Sequence, residues 1–229
     1  MRLPPHGVRA GGATGRPGAI GGAAAGVALL WSNVVLPRLG LGIRGRTAAN
    51  VLFASGFAGV FGGQPAWCSR RGFGWGAVAF GVIGTGYAAG IAIPAIRDRM
   101  AAFTVRGPEV STAEWVAIHI PLGTVYSEEL IFRGTLDPLP AGLGRYGKYG
   151  SAMVFGLWHI YPARVAGDSV AMTVAVTAAS GFVFSWLRRR TGSALAPALA
   201  HLALNAGGVL APRIAVVLRE RSGRPKKLE

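Results

Sequence analysis

Residues 113–133 read AEWVAIHIPLGTVYSEELIFR. The stretch is long enough to cross a membrane as a helix and apolar for most of its length, yet it closes on Glu128, Glu129 and Arg133. A hydrocarbon core about 30 Å thick takes about 20 apolar residues to cross as a helix. Each charge at the centre of such a helix costs about 2.5–3.5 kcal/mol on insertion scales. Such a segment either ends at the interface, where long side chains reach water, or holds its charges inside for a purpose.

The rest of the chain has the same apolar background. Of its 229 residues 51% are hydrophobic and 14% charged, and the mean hydropathy is +0.41. Soluble domains carry about 25% charged residues, so this chain has too little polar surface to be one. Apolar periodicity and length predict segments at 18–36, 48–67, 74–96, 113–136, 150–163, 168–187 and 194–217. The expected fold is therefore all-α, a polytopic transmembrane helix bundle of about 6–8 membrane segments. Segment 150–163 is too short to span comfortably. If it dips in without crossing, six crossings remain and both basic termini fall on the cytoplasmic side, as the positive-inside rule prefers.

The chain divides into a basic, flexible stretch at 1–17, a single transmembrane domain at 18–219 and a basic tail at 220–229. The first apolar run continues to about Leu36, too long for a signal-peptide core. Small-residue pairs such as Gly22 with Gly26 and Gly86 with Gly90 would permit close helix packing. Cys68 is the only cysteine, which excludes an intrachain disulfide and a cysteine metal site.

A formal charge of +15 raises the question of nucleic acid. The basic residues punctuate apolar segments, at Arg38, Arg44 and Arg46, at Arg70 and Arg71, at Arg97 and Arg99, and at Arg188 to Arg190. They form no stripe interleaved with aromatics. That placement suits anionic lipid headgroups and not nucleic acid.

The polar residues inside the apolar segments carry the chemistry. Glu129 and Arg133 are i and i+4 in acid-first order, so they share a helix face and pair. Glu128 points about 100° away from Glu129 and has Phe132 at i+4, which leaves it the freer base. Downstream, His159 stands in Phe155-Gly156-Leu157-Trp158-His159, and His201 is one turn before Asn205, so imidazole and carboxamide project from one face. His119 is assigned to packing and His6 to the N-terminal stretch.

Taken together, Glu128-Glu129 with Arg133, Phe155 with His159, and His201 with Asn205 resemble the three ordered motifs of the CPBP family, the CAAX protease and bacteriocin-processing proteins. The resemblance covers about residues 113–210. It implies an intramembrane endopeptidase that hydrolyses a peptide bond of a membrane-associated peptide or protein substrate. In that reading Glu128 activates a water with help from His201, His159 and Asn205 stabilise the oxyanion, and Glu129 with Arg133 braces the helix. Glu128, His159 and His201 would equally supply the three ligands of an open zinc site, so a divalent metal and direct water activation both stay open.

Other intramembrane protease signatures are absent or incomplete. There is no His-Glu-x-x-His helix, Asp168 lacks the first glycine of the aspartyl pattern, and Ser180 with His201 has ordinary small-residue flanks. The alternatives from other classes are a non-catalytic membrane scaffold or bacteriocin-immunity-type protein, and a transporter, which would show repeated halves. The Gly/Ala/Arg/Pro-rich composition suggests a bacterial cytoplasmic membrane.

Overall fold

The computed structural model describes residues 16–105, 107, 109–139 and 147–221, without the side chains of 16, 17, 104, 105, 147 and 148. Most of the stretches expected as tails, 1–17 with His6 and 220–229, lies outside these residues. Among the described residues the fold is all helix with no strand. In chain order the helices are α1 (16–38), α2 (Ile43–Phe61), α3 (Arg70–Ala92), α4 (Pro94–Ala101) and α5 (112–136). They continue with α6 (Gly147–Trp158), α7 (Ile160–Ala166), α8 (Val170–Thr191) and α9 (Leu195–Arg221).

The stretches Gly18–Arg38, Arg70–Ala92, Val170–Thr191 and Leu195–Arg221 are long and apolar enough to cross a membrane. The six crossings expected from charge bias would add α2 and α5, which are more polar: α2 begins with Arg44 and Arg46, and α5 carries Glu128, Glu129 and Arg133. Large apolar side chains stand on the outward faces, with Leu52, Val60, Phe73, Val78, Val82 and Val165 each more than 60% exposed. Such faces are costly in water and ordinary against lipid.

Several helix ends differ from the expected ones for local reasons. Helix α2 stops at Gly62, whose φ of 70° is the left-handed cap that glycine adopts without strain. Helix α3 starts early, capped by the Ser69 hydroxyl on Gly72 N at 2.9 Å. It stops at Ala92 because Ile93 is extended before Pro94, which opens the unexpected α4.

Two helices are locally widened to π geometry, α1 at Trp31–Val35 and α5 at Trp115–Tyr126 and Leu130–Leu136. In α5, Pro121 has no N–H to give. The hydroxyls of Ser127 and Thr135 donate to carbonyls five residues back, Leu122 and Leu130, each at 2.8 Å. Such stretches are rare and concentrate at functional sites. Glu128 and Glu129 sit in the α turn between them.

The expected segment 150–163 is two helices broken at His159, where φ is −90° and ψ is 6°. The cause is Pro162: Trp158 O, four residues back, loses its helical donor and would meet the proline ring.

Helices α6 and α8 pack through glycine. A Cβ at Gly156 would lie 2.8 Å from Val174 O and 2.9 Å from Ala178 Cβ, and one at Gly181 would lie 3.1 Å from Ala152 Cα. The glycines expected to make such contacts do not all make them: a Cβ at Gly22, Gly26 or Gly86 would meet nothing within 4 Å. Gly156→Ala is therefore expected to lower the thermal midpoint in detergent, by an overpacking cost of about 1–3 kcal/mol. Gly26→Ala should leave it unchanged or raise it, since alanine favours the helix by up to about 1 kcal/mol. Equal effects of the two substitutions would contradict this packing.

Candidate active site

The buried core around the site is aromatic. Phe132 from α5, Phe155 and Trp158 from α6 and Phe184 from α8 are all nearly inaccessible. Phe132 meets Phe155 and Trp158 edge-on at centroid distances of 4.9 and 5.5 Å. Within this shell lie Glu128, Glu129, Arg133 and His201, all buried, with His159 at its edge.

Glu129 and Arg133 are both fully buried and in contact, Arg133 Nη1 standing 3.3 Å from Glu129 Oε1. The guanidinium carbon lies 4.3 Å from the Phe155 ring centre, 5.0 Å from that of Phe184 and 5.6 Å from that of Phe132. Three aromatic faces thus supply part of what water would give the cation. Sequence spacing pointed to this pair. It did not point to the shorter contact on the same carboxylate oxygen, His201 Nδ1 at 2.9 Å.

That contact determines the tautomer of His201. A carboxylate paired with Arg133 accepts, so Nδ1 carries the proton and donates it to Glu129, which leaves Nε2 as the free ring nitrogen. His201 Nε2 faces Glu128 Oε2 at 3.8 Å. The ring stacks on Phe184 at 5.0 Å, which holds its plane.

His159 is arranged in the same way by a different partner. Its Nδ1 donates to Phe155 O at 2.8 Å, because a carbonyl only accepts. Its Nε2 faces the same Glu128 Oε2 at 4.0 Å. Trp158 Nε1 donates to the other oxygen, Glu128 Oε1, at 3.3 Å. The result is one buried carboxylate oxygen with no hydrogen-bond partner of its own, approached from α9 and from the α6–α7 break by two ring nitrogens whose opposite N–H groups are already engaged.

Of the residues singled out in the sequence, Glu128, His159 and His201 come together although 73 positions separate the first from the last. Asn205 stays apart from them in its bonding: its Nδ2 donates to His201 O, 3.2 Å away on its own helix. His119 packs as assigned, bonded to Thr47 Oγ1 at 2.8 Å and to Glu114 Oε1 at 3.1 Å. Sequence reasoning missed Trp158 and the helix break that aims His159, although Pro162 was a visible signal for the break.

A cavity of about 450 Å³ reaches Glu128. Its polar lining includes Ser32, Arg46, Asn50, Thr124 and Glu128, and it extends to Gly40 and Leu41 in the turn between α1 and α2. Neither His159 nor His201 lines it.

One carboxylate and two imidazoles, each anchored through its other nitrogen, are in kind the donor set of an open zinc site. In spacing they are too wide: ligands about 2.1 Å from a tetrahedral ion stand about 3.4 Å apart, against 3.8 and 4.0 Å here. Among the described residues no group of three or more His, Cys, Asp or Glu is placed to hold an ion.

An all-helical bundle with lipid-compatible outer faces and a buried acid–imidazole cluster is an integral membrane protein enclosing a polar site. Residues 110–207, a little under half the chain, match the family model described as type II CAAX prenyl endopeptidase Rce1-like. The match takes in all three motifs and agrees with their resemblance to the CPBP family, and it supports a CAAX-type intramembrane protease fold. No curated protein and no solved structure matches the chain.

Proposed function

We propose that the chain is an intramembrane endopeptidase that hydrolyses a peptide bond of a membrane-associated protein or peptide substrate, in a bacterial cytoplasmic membrane. The observation that carries this reading is the convergence of His201 Nε2 and His159 Nε2 on the unpartnered Glu128 Oε2, at 3.8 and 4.0 Å. Acceptors at that separation are bridged by one water lying to the side of the line joining them.

Glu128 takes a proton from that water as its oxygen bonds to the scissile carbonyl carbon, and the carbonyl oxygen becomes an oxyanion. The carboxyl then returns the proton to the leaving nitrogen as the C–N bond breaks. His201, with Nδ1 committed to Glu129, orients the water through Nε2. His159 donates from Nε2 only as the imidazolium, so its oxyanion role requires that form. Asn205 would join the oxyanion only by giving up its bond to His201 O. Glu129 and Arg133 fix the His201 ring. This scheme routes no step through a metal.

The test is the membrane peptidome of cells making the wild-type protein against cells making Glu128→Gln at equal abundance. Defined fragments should be present with the first and absent with the second, which would also give the substrate class. Identical peptidomes would overturn the proposal.

A further inference from the structure

Helix α1 carries none of the three motifs and lies outside the family match, yet it supplies the bonds that hold the break at His159. In an unbroken helix Tyr161 N would donate to Leu157 O. Here the Asn33 carboxamide stands between the two: its Oδ1 accepts from Tyr161 N at 2.8 Å, and its Nδ2 donates to Leu157 O at 3.1 Å. The next carbonyl, Trp158 O, would need the N–H that Pro162 lacks, and Ser32 Oγ supplies a donor instead at 2.7 Å. The remaining carbonyls are met within the break, Phe155 O by His159 Nδ1 and Gly156 O by His159 N at 3.1 Å.

These partners are separated by well over 100 positions in sequence and sit on the π-widened turn of α1, Trp31–Val35. That widened turn presents two adjacent polar side chains to the same break. The Ser32 bond to Trp158 O is buried, while the two Asn33 bonds lie on the outward side of the break. A backbone group without a partner is costly inside the protein and against lipid alike, so Ser32 and Asn33 together stabilise the geometry of the break. The break in turn sets where His159 Nε2 lies and where Trp158 Nε1 meets Glu128.

We infer that Ser32 and Asn33 are positioning residues of the active site: they clamp the α6–α7 break and thereby set His159 and Trp158 against Glu128. The inference rests on the peptidase reading for its kinetic consequence, while the clamp itself has a readout that does not involve activity.

The experiment uses the full-length protein in detergent, with Asn33→Ala, Ser32→Ala and Asn33→Asp. The last keeps an acceptor for Tyr161 N and loses the Nδ2 donor to Leu157 O and, within α1, to Leu29 O, which guards against a variant that fails to fold. Hydrogen exchange read by mass spectrometry should accelerate at least about tenfold in the peptide covering 155–166 and stay unchanged in peptides from α3 and α8. With a substrate fragment identified from the peptidome, kcat should fall about 10–100-fold, as expected for a group displaced by about 1 Å, with KM held within about twofold. Unchanged exchange at 155–166 would overturn the clamp, and so would acceleration spread evenly over the chain, which would mark a general structural role. A kcat loss matched by a rise in KM would also count against positioning. If the wild-type protein cleaves nothing, the peptidase reading fails, while the exchange result still decides the clamp.

Discussion

Glu128→Gln is expected to lower kcat by about 10²–10⁴-fold, the usual contribution of a general base, without lowering the thermal midpoint in detergent. The glutamine has the shape of the glutamate and keeps an oxygen to accept from Trp158 Nε1, so packing is undisturbed. What it loses is the ability to take a proton from water. It also removes a buried charge whose Oε2 has no hydrogen-bond partner, and relief of such a charge is neutral or stabilising. Activity and stability should therefore separate at this position. The measurement is turnover of a peptidome-derived substrate beside thermal unfolding of the same preparation. Full turnover by the variant would remove Glu128 from the chemistry, and a large drop in midpoint would mean that the carboxylate is chiefly structural.

Arg133→Ala is expected to have the opposite profile, a loss of folded protein with activity lost as a result. Both Arg133 and Glu129 are fully buried, and removing one partner of a buried pair costs about 3–5 kcal/mol. Domains are stable by only about 5–15 kcal/mol. The alanine leaves a space between Phe155, Phe184 and Phe132, and removes the cation from their faces. It also leaves Glu129 with His201 alone, so the ring that faces Glu128 loses its anchor's counter-charge. Arg133→Met fills most of that space and should recover part of the folded yield while Glu129 stays unpaired. The check is the monodisperse fraction and thermal midpoint after detergent extraction. A midpoint equal to that of the wild type would show that the pair contributes nothing.

Much of the site was legible because its spacing is local. Glu129 and Arg133 pair through one helical turn, and the structure has them in contact. The placement of Glu128 away from the Glu129–Arg133 pair was also readable, since adjacent residues of a helix do not share a face. The motifs told which side chains belonged together but not how each is aimed. His201 was expected to act with Glu128, yet its shorter contact is with Glu129, at 2.9 Å against 3.8 Å. Asn205 was expected to stabilise the oxyanion together with His159, and in the structure its amide donates to the backbone of its own helix. Among the glycines, composition offered many candidates for close packing, and only the packed partner helix shows that Gly156 and Gly181 are used.

The sequence by itself determined that the protein is a helical membrane bundle, because apolar length and the scarcity of charge leave the backbone no other way to satisfy its hydrogen bonds in lipid. Proline withholds an N–H wherever it stands, but that alone did not determine the breaks: the chain breaks before Pro94 and near Pro162, while α5 and α9 run through Pro121 and Pro212. Only the tertiary structure decided what replaces those missing bonds and where the functional groups then point. Ser32 and Asn33 are two ordinary polar residues in an apolar run until α1 is laid against the α6–α7 break, where they become the partners of Trp158 O, Leu157 O and Tyr161 N. The physical reason is reach: periodicity governs contacts within about four residues, whereas the aim of His159 and His201 depends on hydrogen bonds between helices far apart in the chain.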